Sequence, residues 1–175
     1  MLAWIVAVLA CFVACVTGQV GFTMTQAAVD GNYLRFSLVP TNYRADITKE
    51  LGAFRCNIPG LYHFAFSAMA PSHGAFRMSL RRNRVPIVTS FASDHGFSWT
   101  SNSALLYLNP NDLVYLFLEE GDIYESTAVN RAFTSFTGHL VNADHLMGRN
   151  SGDEDTGEPD EMDDIFERLS RITRN

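Results

Sequence analysis

The chain has 175 residues, 47% hydrophobic and 18% charged, with 13 Phe, 6 Tyr and 2 Trp. That leaves room for one ordinary domain with appendages and enough aromatic surface for a core, which excludes a wholly disordered protein. Of the net charge of −6, residues 19–152 carry none (ten acids, ten bases) and residues 153–175 all of it (nine acids, three arginines), so the main body is no electrostatic partner for nucleic acid.

Residues 1–14 (MLAWIVAVLACFVA) form an uncharged apolar run. Val16 and Gly18, just before the polar Gln19, fit the small residues read by signal peptidase, so residues 1–18 are expected to be a signal peptide. The alternative is an uncleaved anchor, but the run is shorter than the ~20 residues that span a bilayer and has no basic stop-transfer flank. A secreted product without a membrane span is implied. Cys11 and Cys15 leave with the signal, and Cys56 remains alone. A secreted domain with one Cys must draw its stability from core and assembly rather than from internal disulfides.

From Val20 to Val141 the pattern is one of short strands. Tyr62, Phe64 and Phe66 alternate with His63, Ala65 and Ser67, the period of two that a strand requires. Residues 76–80 and 85–91 are further strands, punctuated by Asn83-Arg84 and Asp94-His95-Gly96. Residues 104–108 (ALLYL) and 113–118 (LVYLFL) flank the turn sequence Asn109-Pro110-Asn111-Asp112 and read as a hairpin. Residues 133–141 make the last strand, and nothing between shows sustained helical spacing. The fold is expected to be all-β. Both ALLYL and LVYLFL are apolar at every position, whereas a sheet with one face in water alternates. Each strand therefore needs cover on both faces, from another copy of the chain or from long loops of its own.

Beyond Val141 the texture changes. Residues 142–159 are rich in Asn, Ser, Gly and acids and read as a flexible acidic linker. In residues 160–175, Asp160 caps a candidate short helix with acids in its first turn and Arg168, Arg171 and Arg174 towards its end, which suits the helix dipole. Met162, Ile165, Phe166, Leu169 and Ile172 fall on one face.

Chemistry-bearing residues are sparse. His63, His73, His95, His139 and His145 lack zinc spacing, and no phosphate loop, nucleophile elbow or carboxylate pair is recognisable. No catalytic site, metal site or cofactor is expected. Glu119, Glu120, Asp122 and Glu125 cluster around Gly121 and read as a loop of solvated charges, the alternative being a site for a weak cation or a basic ligand. Two candidate binding patches stand out. Arg81, Arg82 and Arg84 form a small basic turn, and Phe97 and Trp99 stand beside Asp94 in a Ser- and Gly-containing segment. The alternatives are a solubilising surface for the first and burial under the sandwich for the second.

The segment from Phe36 to Phe66 resembles the signature of the C1q globular-head family. That pattern asks for Phe, Asn or Asp, an aromatic or Leu, Phe, then Gly-x-Tyr-x-Phe-x-Phe/Tyr. The places are held by Phe36, Asn42, Ile47, Phe54, Gly60, Tyr62, Phe64 and Phe66, and only Ile47 departs. Residues 101–108 resemble the family's SGxxLLxL strand and residues 111–116 its GDxVWL. Phe136-Thr137-Gly138-His139-Leu140 resembles the closing FxGFL strand. The resemblance spans the whole domain, residues 19–141. It implies a ten-strand jelly roll of the tumour necrosis factor kind that forms a homotrimer. Where several members have a second Cys, Arg77 or its neighbours stand here, which implies that Cys56 is a buried thiol. Calcium-binding members carry acids before the SGxxLLxL strand, whereas Gly96 to Trp99 are uncharged and only Asp94 is acidic here; calcium remains an alternative to no cofactor, with the family's acidic ligands missing. No collagen-like stalk precedes the domain.

The function this implies is recognition of an extracellular ligand, whether a microbial surface, a glycan or a protein receptor, in an innate-immune setting. Alternatives are a trimeric signalling ligand of the cerebellin or tumour necrosis factor kind and an extracellular-matrix component. The first expectation is simple to check. Intact-mass measurement of the secreted protein should give a chain beginning at Gln19, and a product that retains residues 1–18 would contradict the signal-peptide reading.

Overall fold

The computed structural model describes residues 19–126 and 131–144. The expected signal peptide, most of the acidic linker and the short helix of residues 160–175 lie outside the described residues.

Ten antiparallel strands follow in chain order: β1 (Gly21–Asp30), β2 (Tyr33–Tyr43), β3 (Asp46–Thr48), β4 (Ala53–Arg55), β5 (Gly60–Met69), β6 (Phe76–Arg82), β7 (Val85–Ala92), β8 (Trp99–Leu108), β9 (Leu113–Gly121) and β10 (Ser135–Ala143). They form the two layers of a jelly-roll sandwich, β2-β1-β10-β5-β8 and β3-β4-β9-β6-β7. A single pair, Tyr33 with Phe117, stitches β2 to β9 where the layers meet. The expected all-β jelly roll is what the chain adopts.

The core follows from alternation. Along β5 every second residue from Gly60 to Ala68 is buried, so Tyr62, Phe64 and Phe66 point between the layers. Phe54 enters from β4 of the opposite layer. Its ring stacks on Phe22 at 5.4 Å and lies 5.3 Å from Tyr62 and 5.7 Å from Phe64. Phe136 closes the group edge-on to Phe22 at 5.2 Å, and Phe36 is buried in the same core. Asn42 does not join the core; its side chain accepts the Ala45 amide at 3.0 Å and turns the chain into β3.

Two glycines are required by close approach. A Cβ on Gly138 would stand 2.6 Å from ring carbons of both Phe22 and Phe64. At Gly60, φ is 153°, and a Cβ would meet the Asn142 carbonyl oxygen at 2.3 Å. Cys56 is fully buried, as the resemblance implies, and its Sγ donates to the Ile58 carbonyl at 3.2 Å. Burial pushes the thiol up to about 11.

Three expectations are refined. The β6–β7 hairpin forms around Asn83-Arg84, but the hairpin expected between residues 104–108 and 113–118 does not. The turn is present, with the Asp112 amide bonded to the Asn109 carbonyl at 3.1 Å, yet β8 pairs with β5 and β9 with β4 and β6. The turn is thus a crossover between layers. The two apolar strands also find different cover. Residues Leu113 to Leu116 of β9 are buried on both faces within one chain, because Tyr33, Leu51 and Ala53 pack over Leu113 and Tyr115. In β8 the alternate residues Leu105 and Tyr107 stay exposed. Last, β10 runs past Val141, and Asn142 and Ala143 pair with Leu61 and Gly60, so these two belong to the sheet.

Core substitutions should reflect this packing. Gly138→Ala should lower the unfolding free energy by about 1–3 kcal/mol, the usual cost of overpacking. Phe54→Ala should lower it by about 3–5 kcal/mol, the cost of deleting a buried ring. Denaturant titration followed by aromatic circular dichroism measures both.

Candidate functional site

Strand direction separates the two candidate patches. Arg81, Arg82 and Arg84 lie at the β6–β7 turn, at the end of the sandwich where β9 begins, whereas Asp94, Phe97 and Trp99 lie where β7 ends and β8 begins. The structure therefore puts them at opposite poles, with the first and last described residues at the arginine end.

The arginines are engaged in the fold. Arg81 forks onto the Glu119 carboxylate at 2.9 and 3.1 Å, donates to Ser79 Oγ at 3.2 Å and lies 3.8 Å over the Phe117 ring. Arg82 donates to Asp112 at 3.0 Å, and the Nε of Arg84 is buried. An anion arriving at this turn would find Arg81 and Arg82 already paired. Burial pushes the Glu119 carboxyl up, but hydrogen bonds from Ser79 and Arg81, with the charges of Arg81 and Arg77, outweigh it and hold the group below its ordinary value.

The acidic residues around Gly121 are likewise spoken for. Glu120 pairs with Arg77 at 3.0 Å, and Asp122 accepts the Ile123 amide. Glu125 accepts the amides of Ser126, Phe133 and Thr134, each at 2.9 Å. An open groove of about 510 Å³ beside them is lined by Gln26, Val29, Arg35, Ser37, Asp122 and Glu125. Both of its acids are thus committed to backbone amides. No group of three His, Cys, Asp or Glu side chains comes together among the described residues.

The opposite pole is different. Phe97 and Trp99 are 52% and 54% exposed rather than packed under the sandwich. They are the ends of a chain of four rings. Phe97 meets Tyr124 edge-on at 4.9 Å, Tyr124 meets Phe133 at 5.5 Å, and Phe133 meets Trp99 edge-on at 5.6 Å. Backbone bonds fix this arrangement. The Tyr124 amide donates to Met69 and the Ala70 amide to Ser98, at 2.7 and 2.8 Å, and Ser98 Oγ closes the loop onto the Ser93 carbonyl at 2.8 Å. Glu125 pins Phe133 through its amide. Asp94 and His95 are exposed in the loop that carries Phe97. Sequence alone does not single out Tyr124 and Phe133, because one follows an acidic run and the other reads as the first residue of the last strand, which in the structure begins at Ser135. Rigid, half-exposed rings are what apolar side chains and the flat faces of sugars bind.

A second surface is the outer face of β1-β10-β5-β8. Strand register brings Gly21, His139, His63 and Leu105 into one row and Thr23, Thr137, Ala65 and Ser103 into the next. No Asp, Glu, Lys or Arg stands in these rows. Leu105 is 59% and Val141 52% exposed. At the rim, the Tyr107 hydroxyl donates to the Asp144 carboxylate.

The Glu119 pair gives a pH dependence with a defined sign. A depressed carboxyl contributes stability that is complete above its unfolded value and is lost as pH falls through its folded one. Glu119→Gln should therefore flatten the acid side of the stability profile, measured by denaturant melts across the carboxylate titration range. An unchanged slope would show that the pair adds nothing.

The family model of the C1q domain matches residues 18–141. Among solved structures, the globular domain of zebrafish complement 1qA protein superposes with a TM-score of 0.56 at 21% identity, covering 71% of this chain and 99% of that one. Murine APRIL superposes with a TM-score of 0.50 at 8% identity, covering 69% of this chain and 98% of that one. At these identities the two structures speak for the fold, and the family match speaks for kinship. With its signature rings packed around Gly138 in a ten-strand jelly roll, this chain belongs to the C1q-domain family.

Proposed function

We propose that the chain is a secreted recognition module that assembles as a homotrimer and binds an extracellular ligand through its aromatic pole. Secretion rests on residues 1–18, read as a signal peptide. Assembly is supported by family membership and by the outer face of β1-β10-β5-β8, whose central rows carry no charge and where Leu105, Tyr107 and Val141 are left exposed. Apolar side chains grouped on a face without charges favour burial against another protein surface.

The observation that carries the recognition reading is the row of four rings at the pole away from the arginine turn. Exposed rings held by backbone bonds lose little freedom on binding, which favours affinity. The neighbouring Asp94, Ser98 and Ser101 supply hydrogen-bonding groups, a combination suited to glycans on a microbial or host surface and to apolar anchors of a protein. Trimerisation places three such poles on one particle, so weak single contacts gain by avidity. Catalysis has no part in this reading.

Light scattering on the secreted protein should give the mass of three chains, and Leu105→Glu should give that of one. On glycan arrays and cell-surface extracts, Phe97→Ala with Trp99→Ala should bind at least about thirty-fold more weakly, since an aromatic anchor contributes about 2 kcal/mol or more. The double variant should keep the trimer mass. If it binds like the parent, the pole is not the ligand site.

A further inference from the structure

We propose that His63 and His139 form a binding site for a borderline divalent metal ion, zinc or a neighbour of it, on the outer face of β1-β10-β5-β8. The two residues are 76 positions apart, yet β5 and β10 place them directly opposite each other. Both side chains point to the outer face, and their ring centres lie 5.3 Å apart with the planes inclined at 56°. Two imidazoles sharing one tetrahedral ion at metal–nitrogen distances of ~2.0–2.1 Å hold their ring centres about 5 Å apart. The pair thus has the separation that chelation needs before any ion arrives.

The register of β5 and β10 sets the pair opposite each other, and neither stacking nor an opposite charge accompanies it. The inclination is not that of stacked rings. No hydrogen bond or ion pair engages either imidazole among the described residues, and no carboxylate stands in the same rows of the sheet to draw them together. Imidazole nitrogens suit zinc, copper and nickel, whereas calcium and magnesium require several oxygen ligands that this face lacks. The neighbours are Gly21 and Leu105 in the same row and Thr23, Thr137 and Ala65 in the next, so the positions not filled by the pair stay open to water or to a facing protein. The site needs only one chain. It lies on the face read above as the assembly surface.

The test uses the secreted full chain, stripped with a chelator and titrated with zinc by calorimetry. Saturable uptake is expected. His63→Gln and His139→Gln should each weaken it about tenfold or more, since loss of even an outer partner of a metal ligand costs about that much. His95→Gln, at the far pole, should leave it unchanged. In proton spectra, the imidazole resonances of His63 and His139 should move together on adding zinc. No uptake at millimolar zinc, or equal uptake by both Gln variants, overturns the proposal, as does movement confined to other histidines. Light scattering in parallel reports the chain mass, so a failed trimer and a failed metal site are told apart.

Discussion

One aromatic group lies at the centre of the core between the two layers, and the direction in which its rings point constrains the faces around it. Phe54 comes from the β3-β4-β9-β6-β7 layer, and Phe22, Tyr62, Phe64 and Phe136 from the other. Ring pairs of this kind contribute about 0.5–1.5 kcal/mol each beyond the area they bury. Such close packing is possible because Gly138 offers bare backbone beneath Phe22 and Phe64. Once these rings point inward, the pleat leaves no choice. Away from the irregularities in β1 and β10, the alternate residues of β1, β10, β5 and β8 point outward.

The two outer faces are then treated in opposite ways. On the β9-β6 side, Arg81 lies over Phe117 and pairs with Glu119, and Arg77 pairs with Glu120. Tyr33 and Tyr115 fill the space beside them. That face is closed by its own chain and dressed with charge. The opposite face carries Thr, Ser, Ala, Leu and two histidines, with no ion pair in its central rows among the described residues. The same asymmetry explains why β9 is buried on both sides while β8 is not. It also leaves one outer face without charge in its central rows, one pole with exposed rings, and one side dressed with ion pairs.

Much of this is legible in the sequence because strand periodicity and turn chemistry act locally. Tyr62, Phe64 and Phe66 declare both their strand and its inward face. What stays hidden depends on pairing between distant segments. Asn109 to Asp112 have the composition of a hairpin turn, but composition does not say whether the following strand returns to the same layer, and here it does not. The arginine turn reads as a free basic patch because its acceptors, Glu119 and Asp112, lie far along the chain. Tyr124 and Phe133 join Phe97 and Trp99 only in space. The histidine pair escapes for the same reason, since metal-ligand spacing is read along the chain and this pair is made across strands.

The central claim is that the outer face of β1-β10-β5-β8 is the surface on which copies of the chain meet. Hydroxyl-radical footprinting of the native secreted protein tests it at single side chains. Leu105, Tyr107 and Val141 are exposed in one chain, as is Phe91 on β7 of the other layer. The account predicts that the first three are protected in solution while Phe91 is oxidised. Leu105 and Val141 oxidised as freely as expected for an isolated chain, beside an equally reactive Phe91, would contradict it.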